Sequence, residues 1–161
     1  MNMSRHHYRY FNNKDDILEL WNPILELIKN HSIYNIYGVW DSLDGNWFDD
    51  CPIVVQFDVG FLCVNVHNEN ELSLGWNDID INKKPYWFDV RDDEKTIKEL
   101  NWKEDLIWKK YDELDIIINK KINSIEIISD NYGLRGVAFH TVNNSLVIEN
   151  AGDCIVAKLS Q

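Results

Sequence analysis

The amino-acid sequence predicts a single α+β domain over residues 1–161, an antiparallel β-sheet meander flanked by two helical segments. Three observations predict it. Apolar residues recur at helical spacing in two blocks, 14–30 and 93–120, while short β-branched and aromatic runs fill the stretches between and after them. The blocks follow one another as helix, strands, helix, strands, which argues against a doubly wound parallel sheet. With 161 residues, 45% of them apolar and 12% aromatic, the chain is long enough to bury one substantial core, and no repeat or low-complexity linker divides it.

Each element has its own signal. Residues 1–13 are polar and aromatic, with neither the apolar run of a secretion signal nor the length of a membrane span, and read as a flexible leader of a cytoplasmic protein. Asn13-Lys14-Asp15-Asp16 then precedes Ile17, Leu18, Trp21, Ile24, Leu25 and Ile28, the three- and four-residue spacing of an amphipathic helix. Asn22-Pro23 interrupts that pattern and predicts either a kink or two short helices, the second capped by Asn22. From Ile33 the period changes: 33–40, 53–57, 61–66 and 72–74 read as strands, separated by Asp44-Gly45, Asp58-Val59-Gly60 and residues 67–70 as turns. Between 92 and 121, Ile97, Leu100, Ile107, Tyr111, Leu114 and Ile118 fall on one side of a helix, with Lys98, Glu99, Lys103, Glu104, Lys109 and Lys110 largely on the other. Strand patterns resume at 125–128, 136–141, 146–149 and 155–159, with Asn143-Asn144 and Ala151-Gly152-Asp153 as turns.

The charge distribution is the most informative feature. Sixteen Lys and Arg against 27 Asp and Glu give a net charge of −11, which argues against nucleic acid or an anionic membrane as the main partner. No Lys or Arg lies between Lys29 and Lys83, while Asp41, Asp44, Asp49, Asp50, Asp58, Glu69, Glu71, Asp78 and Asp80 do. Over residues 41–94 thirteen acids face Lys83, Lys84 and Arg91, so −10 of the −11 falls in one third of the chain. Aspartates are natural turn formers, but so many like charges repel one another at a cost that a basic partner would relieve. Trp40, Trp47, Phe48, Trp76, Tyr86, Trp87 and Phe88 are interleaved with the acids. Most are expected in the core, with one or two as exposed anchors. The predicted contacts are Asp41, Asp44, Asp49, Asp50, Asp78 and Asp80, with Trp47 or Trp76 as an apolar anchor.

Other chemistries read poorly. Asp78-x-Asp80-x-Asn82 begins like a calcium loop, but Lys83 stands where the loop needs Gly and Asp89 where it needs Glu. Cys51, Cys63 and Cys154 are odd in number and widely spaced, predicting free thiols rather than disulfides or a zinc site. Neither Cys63 with His67 nor Cys154 with His140 has a glycine turn or helix N-terminus to activate the thiol. His6-His7 lies in the leader, and the dispersed glycines form no phosphate loop. No cofactor and no metal are predicted. An alternative remains: a small enzyme or ligand-binding domain with a site assembled around His67, His140 and Asp58. The 19 Ile and 19 Asn against 3 Ala and 4 Arg point to an AT-rich, bacterial genome.

Residues 122–127, Gly136-Val137-Ala138-Phe139-His140 and Ser145-Leu146-Val147-Ile148-Glu149-Asn150-Ala151-Gly152-Asp153 resemble the closing strands of small bacterial immunity proteins that neutralise polymorphic or contact-dependent toxins. The likeness covers about forty residues; the middle of the chain, around Gly75-Trp76-Asn77-Asp78-Ile79-Asp80, is similar in style. The resemblance implies a cytoplasmic, non-enzymatic inhibitor of a cognate toxin, often a nuclease. It transfers no site residue, so the predicted contacts rest on charge and aromatic content.

Overall fold

A computed structural model describes residues 3–49, 51–67, 70–89, 105–152 and 154–161, and shows a mostly antiparallel β architecture with few helices. Met3–Tyr8 form β1 within the stretch expected as a flexible leader. Asn13 caps α1 (Lys14–Ile28), its side-chain oxygen accepting the otherwise unpaired N–H groups of Asp15 and Asp16 at 2.9 and 3.2 Å. α1 runs through Pro23 as one helix, so a second helix capped by Asn22 is not formed. Ile17, Leu25 and Ile28, on either side of the proline, are all buried, and their packing outweighs the one N–H that Pro23 removes.

The strands that follow are β2 (Ile33–Asp41), β3 (Asn46–Trp47), β4 (Ile53–Phe57), β5 (Gly60–His67), β6 (Glu71–Trp76), β7 (Lys84–Asp89) and β8 (Leu106–Lys110). After a 3₁₀ turn at Asp112–Ile117 come β9 (Ser124–Asp130), β10 (Gly133–His140), β11 (Ser145–Asn150) and β12 (Ile155–Ser160). The first sheet has the order β3-β2-β4-β5-β6, with β8 on the free edge of β2; the second is the plain meander β12-β11-β10-β9. β1 and β7 form a separate two-stranded parallel pair, outside the antiparallel plan the sequence predicts.

The predicted second helix is corrected over its described part. Residues 106–110 are a strand, and the turn after them is 3₁₀ rather than α; residues 93–104 of that prediction lie outside the described residues. The three- and four-residue spacing there coexists with a period of two, in which Leu106 and Trp108 alternate with Ile107 and Lys109. The open edge of β2 decides between them, because Tyr37–Asp41 pair antiparallel with Lys110–Leu106. Leu114 and Ile117 reach the core through the 3₁₀ turn instead.

One core lies between the two sheets and α1. Ile33, Ile36, Ile53, Val55, Phe57, Leu62 and Val64 from the first sheet meet Ile127, Val137, Phe139, Leu146 and Ile148 from the second, with α1 contributing its three buried side chains. Phe57 and Phe139 join the layers, their ring centroids 5.8 Å apart. The opposite face of the first sheet is also covered: Tyr37, Val54, Cys63 and Ile79 cluster there with Phe61, Ile81 and Trp108. Gly60, at a positive φ of 155°, lets Trp76 close over the β4–β5 turn, since a Cβ would lie 2.5 Å from the indole.

Gly136 marks the closest approach within the second sheet. A Cβ there would stand 2.0 Å from the Ile148 carbonyl oxygen and 2.7 Å from Glu149 Cα. Because the obstacle is backbone, Gly136→Ala is expected to push β10 from β11 and destabilise the protein by about 3 kcal/mol, measured by urea denaturation. Retention of the wild-type midpoint would contradict this close packing.

Candidate functional site

β2 and β3 form a hairpin whose tip, residues 42–45, is held by its own first aspartate. Asp41 Oδ1 accepts the Leu43 and Asp44 N–H groups at 3.0 and 3.2 Å, and the Asp41 carbonyl accepts the Gly45 N–H at 2.8 Å. Gly45 supplies the left-handed φ of 69° that the turn requires. The result is a fixed tip with Asp44 exposed and Leu43 78% exposed beside it.

Behind the tip stands an aromatic wall. Trp47 lies opposite Trp40 in the strand register, and the two rings meet edge-on with centroids 5.1 Å apart. Trp47 also stacks on Tyr111, 3.9 Å between centroids. Tyr111 reaches that position because Gly38 in β2 has no side chain: a Cβ would lie 2.4 Å from the Tyr111 hydroxyl oxygen. Lys109, paired with Gly38 across β2–β8, sets its ammonium 3.5 Å from the Trp40 ring centroid and 5.5 Å from that of Trp47. Burial, followed by the charges of Glu113, Cys51 and Asp49, pushes the Tyr111 hydroxyl well above its ordinary value. Asp49 therefore lies within electrostatic reach of the wall. Its backbone carbonyl accepts the Ile155 N–H at 2.9 Å, which ties this segment to β12.

The predicted contacts divide into two groups. Asp41, Asp44, Trp47 and Asp49 belong to the hairpin; Asp50 lies outside the described residues. Trp76 is half-buried, as Trp47 is, and packs against the main core at the end of β6, away from the hairpin. Asp78 and Asp80 flank Ile79, whose cluster lies on the other face of the first sheet from Trp40 and Tyr111. Asp80 caps its own turn, Oδ1 accepting the Asn82 N–H at 3.0 Å, with Lys83 3.9 Å away. Lys109, Tyr111 and Leu43 are the members of the hairpin site that sequence reasoning missed. An apolar residue inside a turn is the only signal that marks Leu43; Lys109 and Tyr111 required the β2–β8 pairing.

His67, His140 and Asp58 are not brought together. The His67 ring lies against Tyr10, 4.7 Å between centroids, while Asp58 sits beyond the other end of β5 and contacts His31 at 3.0 Å. His140 belongs to the second sheet. Its Nδ1 is hydrogen-bonded to Ser145 Oγ at 2.6 Å and its Nε2 to Glu126 Oε2 at 3.1 Å, a row across β11, β10 and β9. None of the three cysteines forms a disulfide, and burial, with the charge of Asp78 second, pushes the Cys63 thiol up, away from nucleophilic reactivity. Asn65 and Ser73, neighbours across β5–β6, are buried with Asn65 Oδ1 and Ser73 Oγ lacking partners, although Asn65 Nδ2 donates to the Tyr10 hydroxyl at 2.9 Å. Among the described residues no His, Cys, Asp and Glu cluster could hold a metal ion, and no helix is long and apolar enough to cross a membrane.

The Asp58–His31 contact carries a pH dependence. The hydrogen bond from His31 chiefly holds the Asp58 carboxyl below the usual range; partial desolvation opposes it, and the His31 charge and the Ser32 N–H add to it. A depressed carboxyl stabilises the fold above its unfolded value of about 3.9, and that contribution disappears as pH falls through the lower folded value. Asp58→Asn is therefore expected to lose less stability than wild type when denaturation midpoints are compared between about pH 5 and pH 3. Parallel acid limbs in the two proteins would rule the contact out as a contributor.

Comparison with family models, characterised proteins and solved structures returned no match for this chain.

Proposed function

We propose that this protein binds and neutralises a cognate basic toxin in the cytoplasm, as a bacterial immunity protein does, through the acidic hairpin and the aromatic wall behind it. One juxtaposition carries the reading: Asp44, on a turn held by its own hydrogen bonds, and Asp49, two residues after Trp47, are exposed and without ion-pair partners among the described residues, on the segment that carries the Trp40 and Trp47 rings, the latter stacked on Tyr111. Exposed carboxylates of one sign steer a basic partner, and aromatics at the centre of a contact supply the slow release that steering alone does not. A nuclease is the toxin activity this chemistry suits best, because carboxylates stand where the enzyme would place substrate phosphates. The role is non-enzymatic and uses no cofactor. The C-terminal segments that resemble immunity proteins form the β9–β12 meander, which the proposed contact surface does not include. Co-expression with the product of the adjacent gene tests the reading. Rescue of growth is expected, with association that slows as salt is raised; a neighbour that is not toxic, or binding indifferent to salt, would sink it.

A second reading, ester or amide hydrolysis, has the Ser145–His140–Glu126 row in its favour, since a histidine held by a carboxylate can take a serine proton. Labelling of Ser145 by a fluorophosphonate, abolished in His140→Ala, would support that reading over the first.

A further inference from the structure

We propose that the corner between Trp40 and Trp47 is a receptor for an arginine side chain of a basic protein, and that Lys109 occupies it while no partner is bound. This rests on the acidic-hairpin reading and names its central contact. The rings meet edge to face at an interplanar angle of 83°, and the Lys109 ammonium lies over the Trp40 ring. The corner is thus built to take a cation. Yet Lys109 uses only half of what surrounds it. Its ammonium has no carboxylate partner among the described residues, although Asp49 lies within electrostatic reach of Tyr111, which stacks on Trp47.

A guanidinium suits the place better than an ammonium. It is planar and more weakly hydrated, so it can lie flat on an indole while its N–H groups fork toward a carboxylate. An arginine entering from a partner would engage both the rings and the unpaired Asp44 or Asp49, displacing a lysine that makes only the ring contact. Tyr111 keeps the corner rigid from behind by stacking on Trp47, and Gly38 leaves the space for Tyr111 to do so. Ile107, 46% exposed and opposite Trp40 in the register, supplies an apolar shoulder for the arginine stem.

The experiment follows the indole N–H signals of the full-length protein during titration with acetyl-Gly-Ser-Arg-Ser-Gly-amide and with its citrulline counterpart, which keeps the shape and removes the charge. The arginine peptide is expected to shift the Trp40 and Trp47 signals and the citrulline peptide to leave them in place. In Lys109→Met the arginine peptide should bind about two- to five-fold more tightly, the advantage of removing one exposed cation–π competitor. Trp47→Phe, which keeps a ring against Tyr111, should bind it more weakly, with amide dispersion confirming the fold. Equal shifts from both peptides, or no tightening in Lys109→Met, would overturn the receptor. Hexalysine titrated in parallel at low salt reports the acidic surface separately. If it binds and Asp44→Lys with Asp49→Lys weakens it while the arginine peptide ignores the indoles, the corner fails and the acidic surface stands; if neither peptide binds, both readings fail.

Discussion

Phe139→Ala will destabilise the protein by about 3–5 kcal/mol, a large part of the roughly 5–15 kcal/mol that holds a domain folded. Phe139 is fully buried in β10, and its ring faces Phe57 across the gap between the sheets. Deleting it removes the side chain that joins the layers. The surrounding groups are Val137, Leu146 and Ile148 on paired strands, whose ladders cannot shift far enough to refill the space. Urea denaturation of the variant measures the loss, with Val142→Ala, at an 83% exposed turn residue, as the control expected to change nothing. A loss under about 1 kcal/mol would mean that the sheets do not depend on this contact.

Reversing Asp44 and Asp49 together to lysine is expected to slow association with the proposed basic partner by about ten-fold or more at low salt while leaving the thermal midpoint nearly unchanged. Both side chains are exposed, so the fold has little at stake in them. The difference between variant and wild type should shrink as ionic strength rises, since charges are screened over about 8 Å at physiological salt. Trp47→Ala acts on the other rate. It removes a ring that stacks on Tyr111 and abuts Trp40, and should weaken binding by about 2 kcal/mol or more, seen mainly as faster dissociation. Surface plasmon resonance at two salt concentrations separates the two effects. A charge-reversed protein that associates as fast as wild type at low salt would remove the hairpin from the interface.

The contrast between what could and could not be read from the sequence follows from the range of the interactions. α1 was legible because its cap and its buried face lie within one segment, and β2, β4–β6 and β9–β12 because each carries its own β-branched run and turn. β8 was not, because residues 106–110 satisfy two periods at once and only the open edge of β2, over sixty residues earlier, chooses between them. β3 is too short for any pattern, and β1 pairs with a segment about eighty residues away. The acidic run was legible as composition. Its division was not, because the segment after β6 crosses to the opposite face and takes Asp78 and Asp80 with it. Lys109 was expected on the polar face of a helix and instead lies on β8, its ammonium over the Trp40 ring.

The hairpin tip contributes no buried side chain: residues 42–46 are all exposed, and the core is assembled elsewhere. Substitutions at Leu43, Asp44, Asn46 and Asp49 can therefore accumulate with little loss of folded protein. Under the proposed function, such a division would let a lineage change its target quickly. Toxins that altered their surfaces would then be followed by drift at a few loop positions, while Gly38, Tyr111 and the sheets beneath them stay under a separate and slower constraint. Closely related chains are thus expected to share the scaffold and differ most at the tip.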